Sequence, residues 1–231
     1  MEELLVCGKR CIIEETGTAK NVFLWAYHDF SGDGFEHLIS ILREAPSVRD
    51  CIIAAFTIED WDAELSPWKA PQAFGSIPFS GKGPETLEWL TGKYIPFLKE
   101  RFPEAESFYT VGYSLAGLFS LWALYETDLL SGCVCCSGSL WLDHWDTYAA
   151  SHWLGNRSEV YLSLGGKEEK TKNLMMMKVG DRTREQAKLL LSDPNIKECI
   201  LEWNRGGHFA DAEERIAKGI RYIAVKNPDR E

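Results

Sequence analysis

A serine, a histidine and a carboxylate on three well-separated segments are the residues of this chain best suited to chemistry. Ser114 stands in Gly112-Tyr113-Ser114-Leu115-Ala116-Gly117, after an apolar run at 107–111 and before a strongly apolar stretch at 115–125. This is close to the G-x-S-x-G elbow, in which a sharp strand-to-helix turn exposes a strained serine and the flanking positions must be tiny. Gly112 meets that need, and Ala116 departs from it by one methyl group. Leu115 N–H would lie in the first turn of the following helix, where amides lack partners and the dipole favours negative charge. That is half of an oxyanion hole.

A serine hydroxyl needs a base at neutral pH, and histidine titrates closest to it. Of His28, His37, His144, His152 and His208, only His208 lies in a glycine-bearing loop (Asn204-Arg205-Gly206-Gly207-His208) directly after the last apolar run, 200–203. A chain order of serine, acid, histidine then places the acid behind the run 159–164, in Gly165-Gly166-Lys167-Glu168-Glu169. Glu168 is the expected acid, with Glu169 the alternative and Asp143 a third candidate. A carboxylate there orients the imidazole and stabilises the imidazolium as it forms. The second oxyanion amide is expected from the loop His28-Asp29-Phe30, at Asp29. Trp61 and Trp68, with Trp141, Trp145 and Trp153, are suited either to an aromatic wall for an acyl or sugar group or to core packing. Tyr113, Trp68 and Trp141 are the candidate substrate-binding residues.

These groups need a scaffold that brings three distant loops together. Residues 4–7 and 11–14, around Gly8-Lys9, predict a hairpin. The nearly continuous apolar runs 21–27 and 51–56 predict strands covered on both faces. Phe35, Leu38, Ile39 and Leu42 share one helical side. Residues 59–83 contain prolines and little periodicity, which predicts a long irregular segment serving as a lid or substrate-binding element. Pro84 begins a helix to about residue 101, as suits a first-turn proline. Further strands are expected at 107–111, 132–136, 159–164 and 200–203, with helices at 115–125, 183–191 and 210–223. Thr183 and Gln186 form a capping box in this reading. Strands alternating with helices predict an α/β protein, a mostly parallel sheet of about eight strands flanked by helices on both faces, in one domain over 1–231.

At 231 residues, with 45% hydrophobic and 26% charged residues, the chain suits one sizeable core. A net charge of −10 argues against nucleic acid and anionic membrane as partners. No run approaches the roughly 18 apolar residues that span a bilayer. Seven cysteines, several inside apolar runs, are read as reduced core residues of a cytoplasmic protein. In Cys133-Val134-Cys135-Cys136 a strand would point Cys133 and Cys135 away from Cys136, which favours packing over metal binding.

With these residues placed, the sequence resembles the esterase family that includes esterase D and enterochelin-esterase-like proteins. The likeness lies in GYSLAGL (112–118), in SGSLW with Asp143 (137–143), in Gly165 to Glu168, and in Gly206-Gly207-His208. It implies the α/β-hydrolase fold and a Ser-acid-His triad on Ser114, Glu168 and His208, working without metal or organic cofactor on a small-molecule ester. Elbows of that family commonly read G-H-S-L-G-G, from which Tyr113 and Ala116 depart. Some of its members open ferric siderophores, which are strongly anionic and need basic residues to hold them; the net charge of −10 disfavours such a substrate here without excluding it, since Lys69 and Lys82 lie in the long segment. The expected activity is serine carboxylic-ester hydrolysis through an acyl-enzyme. The same triad would also serve a thioesterase, acyltransferase or peptidase, and a non-catalytic binding module on the same fold is the alternative of a different class.

Overall fold

Residues with paired positive φ open the chain's first turn. β1 (Glu2–Val6) and β2 (Lys9–Glu15) pair antiparallel across Cys7-Gly8, whose φ values of 45° and 91° match the primed turn that follows the twist of two strands. The turn therefore sits one residue earlier than Gly8-Lys9. The computed structural model describes residues 1–16, 20–28, 34–44, 51–72 and 78–225.

The apolar run β3 (Asn21–Tyr27) is followed by α1 (Gly34–Arg43), which buries Phe35, Leu38, Ile39 and Leu42, and then by β4 (Cys51–Thr57). The segment after β4 carries more structure than its prolines suggested. Asp60 accepts a hydrogen bond from Ala63 N–H (3.1 Å) and caps a single turn, α2 (Trp61–Glu64). The two-residue strands β5 (Lys69–Ala70) and β6 (Phe79–Ser80) close a small ribbon behind it. α3 (Gly83–Trp89) begins with Pro84 in its first turn and continues through a π-helical turn, Leu90–Tyr94, into α4 (Ile95–Arg101). The widened turn ends two residues before Pro96, which has no N–H to donate to an i−4 carbonyl.

The rest alternates β7 (Ser107–Tyr113), α5 (Leu115–Glu126), β8 (Gly132–Cys136), α6 (Trp145–Ser151), β9 (Ser158–Gly165), α7 (Val179–Ser192), β10 (Ile196–Asn204) and α8 (Ala212–Ala224). α7 begins before the expected cap: Thr183 is internal, its hydroxyl donating to Val179 O (2.7 Å), and Gln186 Oε1 accepts from the Trp145 indole N–H (3.1 Å). One eight-stranded sheet has the order β1-β2-β4-β3-β7-β8-β9-β10. The hairpin end is antiparallel, and every pair from β4 onward is parallel. The strand period of two then divides the core. Val22, Leu24, Cys133 and Cys135 face the layer of α3, α4, α5 and α7, whereas Phe23, Trp25, Val134 and Cys136 face α1 and α8. Among the described residues no helix is long and apolar enough to cross a membrane.

Helix α8 lies close on the sheet at Gly219, where a β-carbon would meet Val134 Cγ1 and come within 2.7 Å of the Tyr161 ring. Gly219→Ala should therefore destabilise the fold by about 1–3 kcal/mol through overpacking. Thermal unfolding should show Tm lowered by several degrees, and an unchanged Tm would contradict this packing.

Candidate active site

Ser114 joins β7 to α5 with φ 58° and ψ −122°, a conformation costly for a residue with a side chain. Its N–H donates to Cys136 O (3.0 Å), and its carbonyl accepts from Leu118 N–H (3.1 Å) and Ser139 N–H (3.0 Å). The chain turns so tightly that a β-carbon on Gly112 would collide with the Ala116 carbonyl and lie 2.6 Å from Gly117 N. The hydroxyl projects from the carboxyl edge of the sheet. Leu115 follows as the first residue of α5, where a helix N–H has no intrahelical acceptor.

Two other strand ends bring their residues to the same hydroxyl. His208 lies between β10 and α8, with Nε2 3.0 Å from Ser114 Oγ. Its Nδ1 is 2.8 Å from Glu168 Oε2. With the Nδ1 proton donated to the carboxylate, Nε2 is left to accept from the serine hydroxyl. Glu168, in the short turn Glu168–Lys170 after β9, is buried. Its Oε1 accepts from Gly165 N–H (2.7 Å), Ser137 Oγ–H (2.7 Å) and Arg215 Nη1 (2.9 Å). Burial pushes this carboxyl's pKa up, but the hydrogen bonds from His208, Ser137 and Gly165 outweigh it and hold it below 4.5.

The alternatives for the acid are elsewhere. Both Glu169 oxygens accept from Arg184 Nη2 at 3.0 and 3.1 Å, away from His208. Asp143 is exposed, its carboxylate beside His144 (3.4 Å). Asp29, proposed for the second oxyanion amide, lies outside the described residues.

A cavity of about 480 Å³ opens beside Ser114 and His208, walled by Trp25, Tyr27, Trp61, Tyr113 and Phe209 and edged by Asp211 and Glu213. Of the three candidate substrate-binding residues Tyr113 lines it, whereas Trp68 and Trp141 do not. Trp68 stacks near Trp145 and Tyr148 (6.4 and 5.3 Å between ring centroids) and donates its indole N–H to Asp143 O (2.8 Å). Trp141 is buried against Phe79. Both pack the long segment onto the body of the protein. Trp61 faces the cavity because Asp60 starts a helical turn there, and Phe209, 97% exposed, follows His208 directly.

Tyr113 does more than line the wall. Its hydroxyl donates to His208 O (2.6 Å) and accepts from Arg215 Nη1 (3.0 Å). Burial pushes its pKa up to about 12, against the opposing effects of Ser137 and Arg215. Ser139 Oγ lies 3.4 Å from the Ser114 hydroxyl. Arg215 had no signal as a functional residue when read alone in an amphipathic helix. The one clue is Gly219, four residues on, which marks that side of α8 as facing the sheet.

No family model matches the sequence, and no curated relative does. Solved structures do match. An IroE-like serine hydrolase from Shewanella oneidensis superimposes with a TM-score of 0.77 at 15% identity, over 93% of this chain and 75% of that one. Siderophore hydrolase EstB from Aspergillus nidulans matches with a TM-score of 0.75 at 14% identity, over 98% and 95%. Enterochelin esterase from Shigella flexneri gives 0.72 at 15% identity, over 96% of this chain and 57% of that one. At such identities the likeness concerns the fold, and with the strand order above it shows that this chain has the α/β-hydrolase fold.

Because the folded pKa of Glu168 is depressed, its ionised form stabilises the protein fully above the ordinary value of 4.5. That stabilisation is lost as pH falls through the lower folded value. Glu168→Gln, which strands the buried Arg215 charge, should cost roughly 3 kcal/mol at neutral pH. In thermal unfolding run from pH 7 downward, the Tm gap between wild type and variant should close below pH 4.5. A constant gap would show that the carboxylate's charge is not what matters.

Proposed function

We propose that the protein is a serine carboxylic-ester hydrolase of one α/β-hydrolase domain, with Ser114 as nucleophile, His208 as general base and Glu168 as the acid that orients it. The observation that carries this reading is the unbroken hydrogen-bonded line from Ser114 Oγ through both ring nitrogens of His208 to Glu168, at 3.0 and 2.8 Å. In that role Ser114 Oγ attacks the ester carbonyl while His208 Nε2 takes its proton, and negative charge develops on the carbonyl oxygen. In this reading Leu115 N–H, at the positive end of α5, receives it. The imidazolium then protonates the leaving alkoxide, giving an alcohol and an acyl-serine. Water deprotonated by His208 hydrolyses the acyl-serine and restores the enzyme. The solved structures whose names read esterase or hydrolase support the same class.

The substrates of this reading are neutral esters of small or medium size, and the lining of the cavity supports that choice. Its walls are largely aromatic, its edge is acidic, and among the described residues none lining it is a lysine or arginine. Lys82 lines a separate pocket with Glu59, Asp60 and Glu64, and Lys69 lies on β5 outside the Ser114 cavity. A substrate carrying a negative charge would therefore meet Asp211 and Glu213 without a compensating cation among the described lining residues.

A fluorophosphonate probe should label the wild type and leave Ser114→Ala unlabelled, and loss of Ser114 or His208 should lower kcat at least ~10⁴-fold. Equal labelling of wild type and Ser114→Ala would end the reading. In a panel of p-nitrophenyl esters with a sugar ester and a siderophore lactone, neutral acyl groups should give kcat/KM roughly tenfold above carboxylate-bearing analogues of the same shape. The reverse order would refute the electrostatic part.

A further inference from the structure

Resting on that reading, we propose that Arg215 is the positioning residue of this site, the group that locks the histidine loop and the acid into one register. Arg215 is 1% exposed, one turn into α8, and touches neither the Ser114 hydroxyl nor the cavity. Its Nη1 serves Glu168 Oε1 (2.9 Å), Ser137 Oγ (3.0 Å) and Tyr113 OH (3.0 Å). Its Nη2 donates to the carbonyls of Arg205 and Gly207, each at 3.0 Å.

A buried guanidinium must find acceptors for its N–H groups, and Nη2 finds them in two carbonyls of the histidine loop. Those carbonyls flank Gly206, whose φ of 91° bends the loop toward the serine. The next carbonyl, that of His208 itself, accepts from Tyr113 OH, which Arg215 also holds. The backbone on both sides of the bend is thus referred to one planar cation, and so is the carboxylate that faces the imidazole. Arg215 occupies Oε1 of Glu168 together with Ser137 and Gly165, which leaves Oε2 to the ring. A guanidinium can do this because its donors point in a fixed fork to two sides. A lysine ammonium has the charge but only a point of attachment.

The fork, rather than the charge, therefore sets the distance from His208 Nε2 to Ser114 Oγ. Misplacement by about 1 Å is enough to cost ~10²-fold in rate. Arg215→Lys and Arg215→Met should both lower kcat by about 10²-fold on a p-nitrophenyl ester with KM little changed. Both should lose the downfield proton resonance of His208 Nδ1–H bonded to Glu168. Tyr113→Phe, which removes only one hydroxyl, should lower kcat less, and adding it to Arg215→Lys should lower kcat no further. Circular dichroism establishes that each variant is folded, and Arg215→Lys carries the test if Arg215→Met is not.

A folded Arg215→Lys with wild-type kcat and an intact resonance would overturn the proposal, as would a loss confined to KM or an additive double variant. The resonance is read without turnover, which separates this inference from the esterase reading. A wild type that takes no fluorophosphonate yet shows a resonance lost in the arginine variants refutes the hydrolase and leaves the positioning. An active wild type whose resonance survives in Arg215→Lys does the opposite.

Discussion

The site depends first on Ser114 holding a backbone conformation it would not choose alone. A left-handed, non-glycine residue of this kind costs on the order of 1–3 kcal/mol and persists only where its surroundings over-determine it. Here β7 and α5 are both buried along nearly their whole length, so the direction of each is fixed by core packing. The residue between them must absorb the change of direction, and hydrogen bonds to Cys136 and Ser139 tie it to the segment after β8. Since β7, β8, β9 and β10 run parallel, their carboxyl ends meet at one edge. Ser114, Ser137, Glu168 and His208 each follow one of those ends within a few residues, and the sheet converts large sequence separations into neighbouring positions.

Bringing a carboxylate to that edge under cover of protein raises a second constraint, because an ionised group removed from water must be compensated in full. Glu168 is compensated unevenly. One oxygen is saturated by an amide, a hydroxyl and a guanidinium, and among the described residues the other pairs with the imidazole alone. That asymmetry fixes the carboxylate's rotation and gives His208 a single strong acceptor. It also explains why Glu168 rather than Glu169 occupies the place. The preceding turn directs residue 168 inward beneath Gly165, whereas residue 169 emerges toward α7 and meets Arg184 there.

Much of this was legible in the sequence because it rests on local signals. The strands of the middle of the sheet announce themselves as continuous apolar runs, and 21–27 coincides with β3. At the edge the signal weakens. β10 starts at Ile196 instead of residue 200, since an edge strand half open to solvent tolerates Lys197 and Glu198. Thr183 misled because a threonine hydroxyl bonds equally well to a carbonyl one turn back as to a capped amide. That Ser114, Glu168 and His208 would follow neighbouring strands was legible because the alternation of strands and helices dictates which loops meet at the carboxyl edge. The cavity walls and Arg215 were not legible, for their roles come from contacts across the tertiary structure. Trp61 and Trp68 are seven residues apart in one segment, and only the packing of α2 and of the Trp145–Tyr148 cluster sends one to the cavity and the other away from it.

The two departures from the resembled elbow, Tyr113 and Ala116, have separate physical accounts. Ala116 is fully buried, and the tightest approach at the elbow is that of Gly112 to the Ala116 carbonyl rather than one at the Ala116 side chain. A β-carbon on Gly117 would sit 3.0 Å from Cys136 O and 3.2 Å from Gly112 O, a tight fit that favours glycine there, while the methyl group at 116 is accommodated. Tyr113 is long enough for its hydroxyl to pass behind His208 and donate to that residue's carbonyl, while its other partners are Ser137 and Arg215. A shorter side chain at 113 would leave the His208 carbonyl without this donor and Arg215 with one acceptor fewer. The tyrosine beside Ser114 is therefore part of the apparatus that holds His208, and the buried arginine and the altered elbow belong to one solution to the problem of fixing a glycine-rich histidine loop.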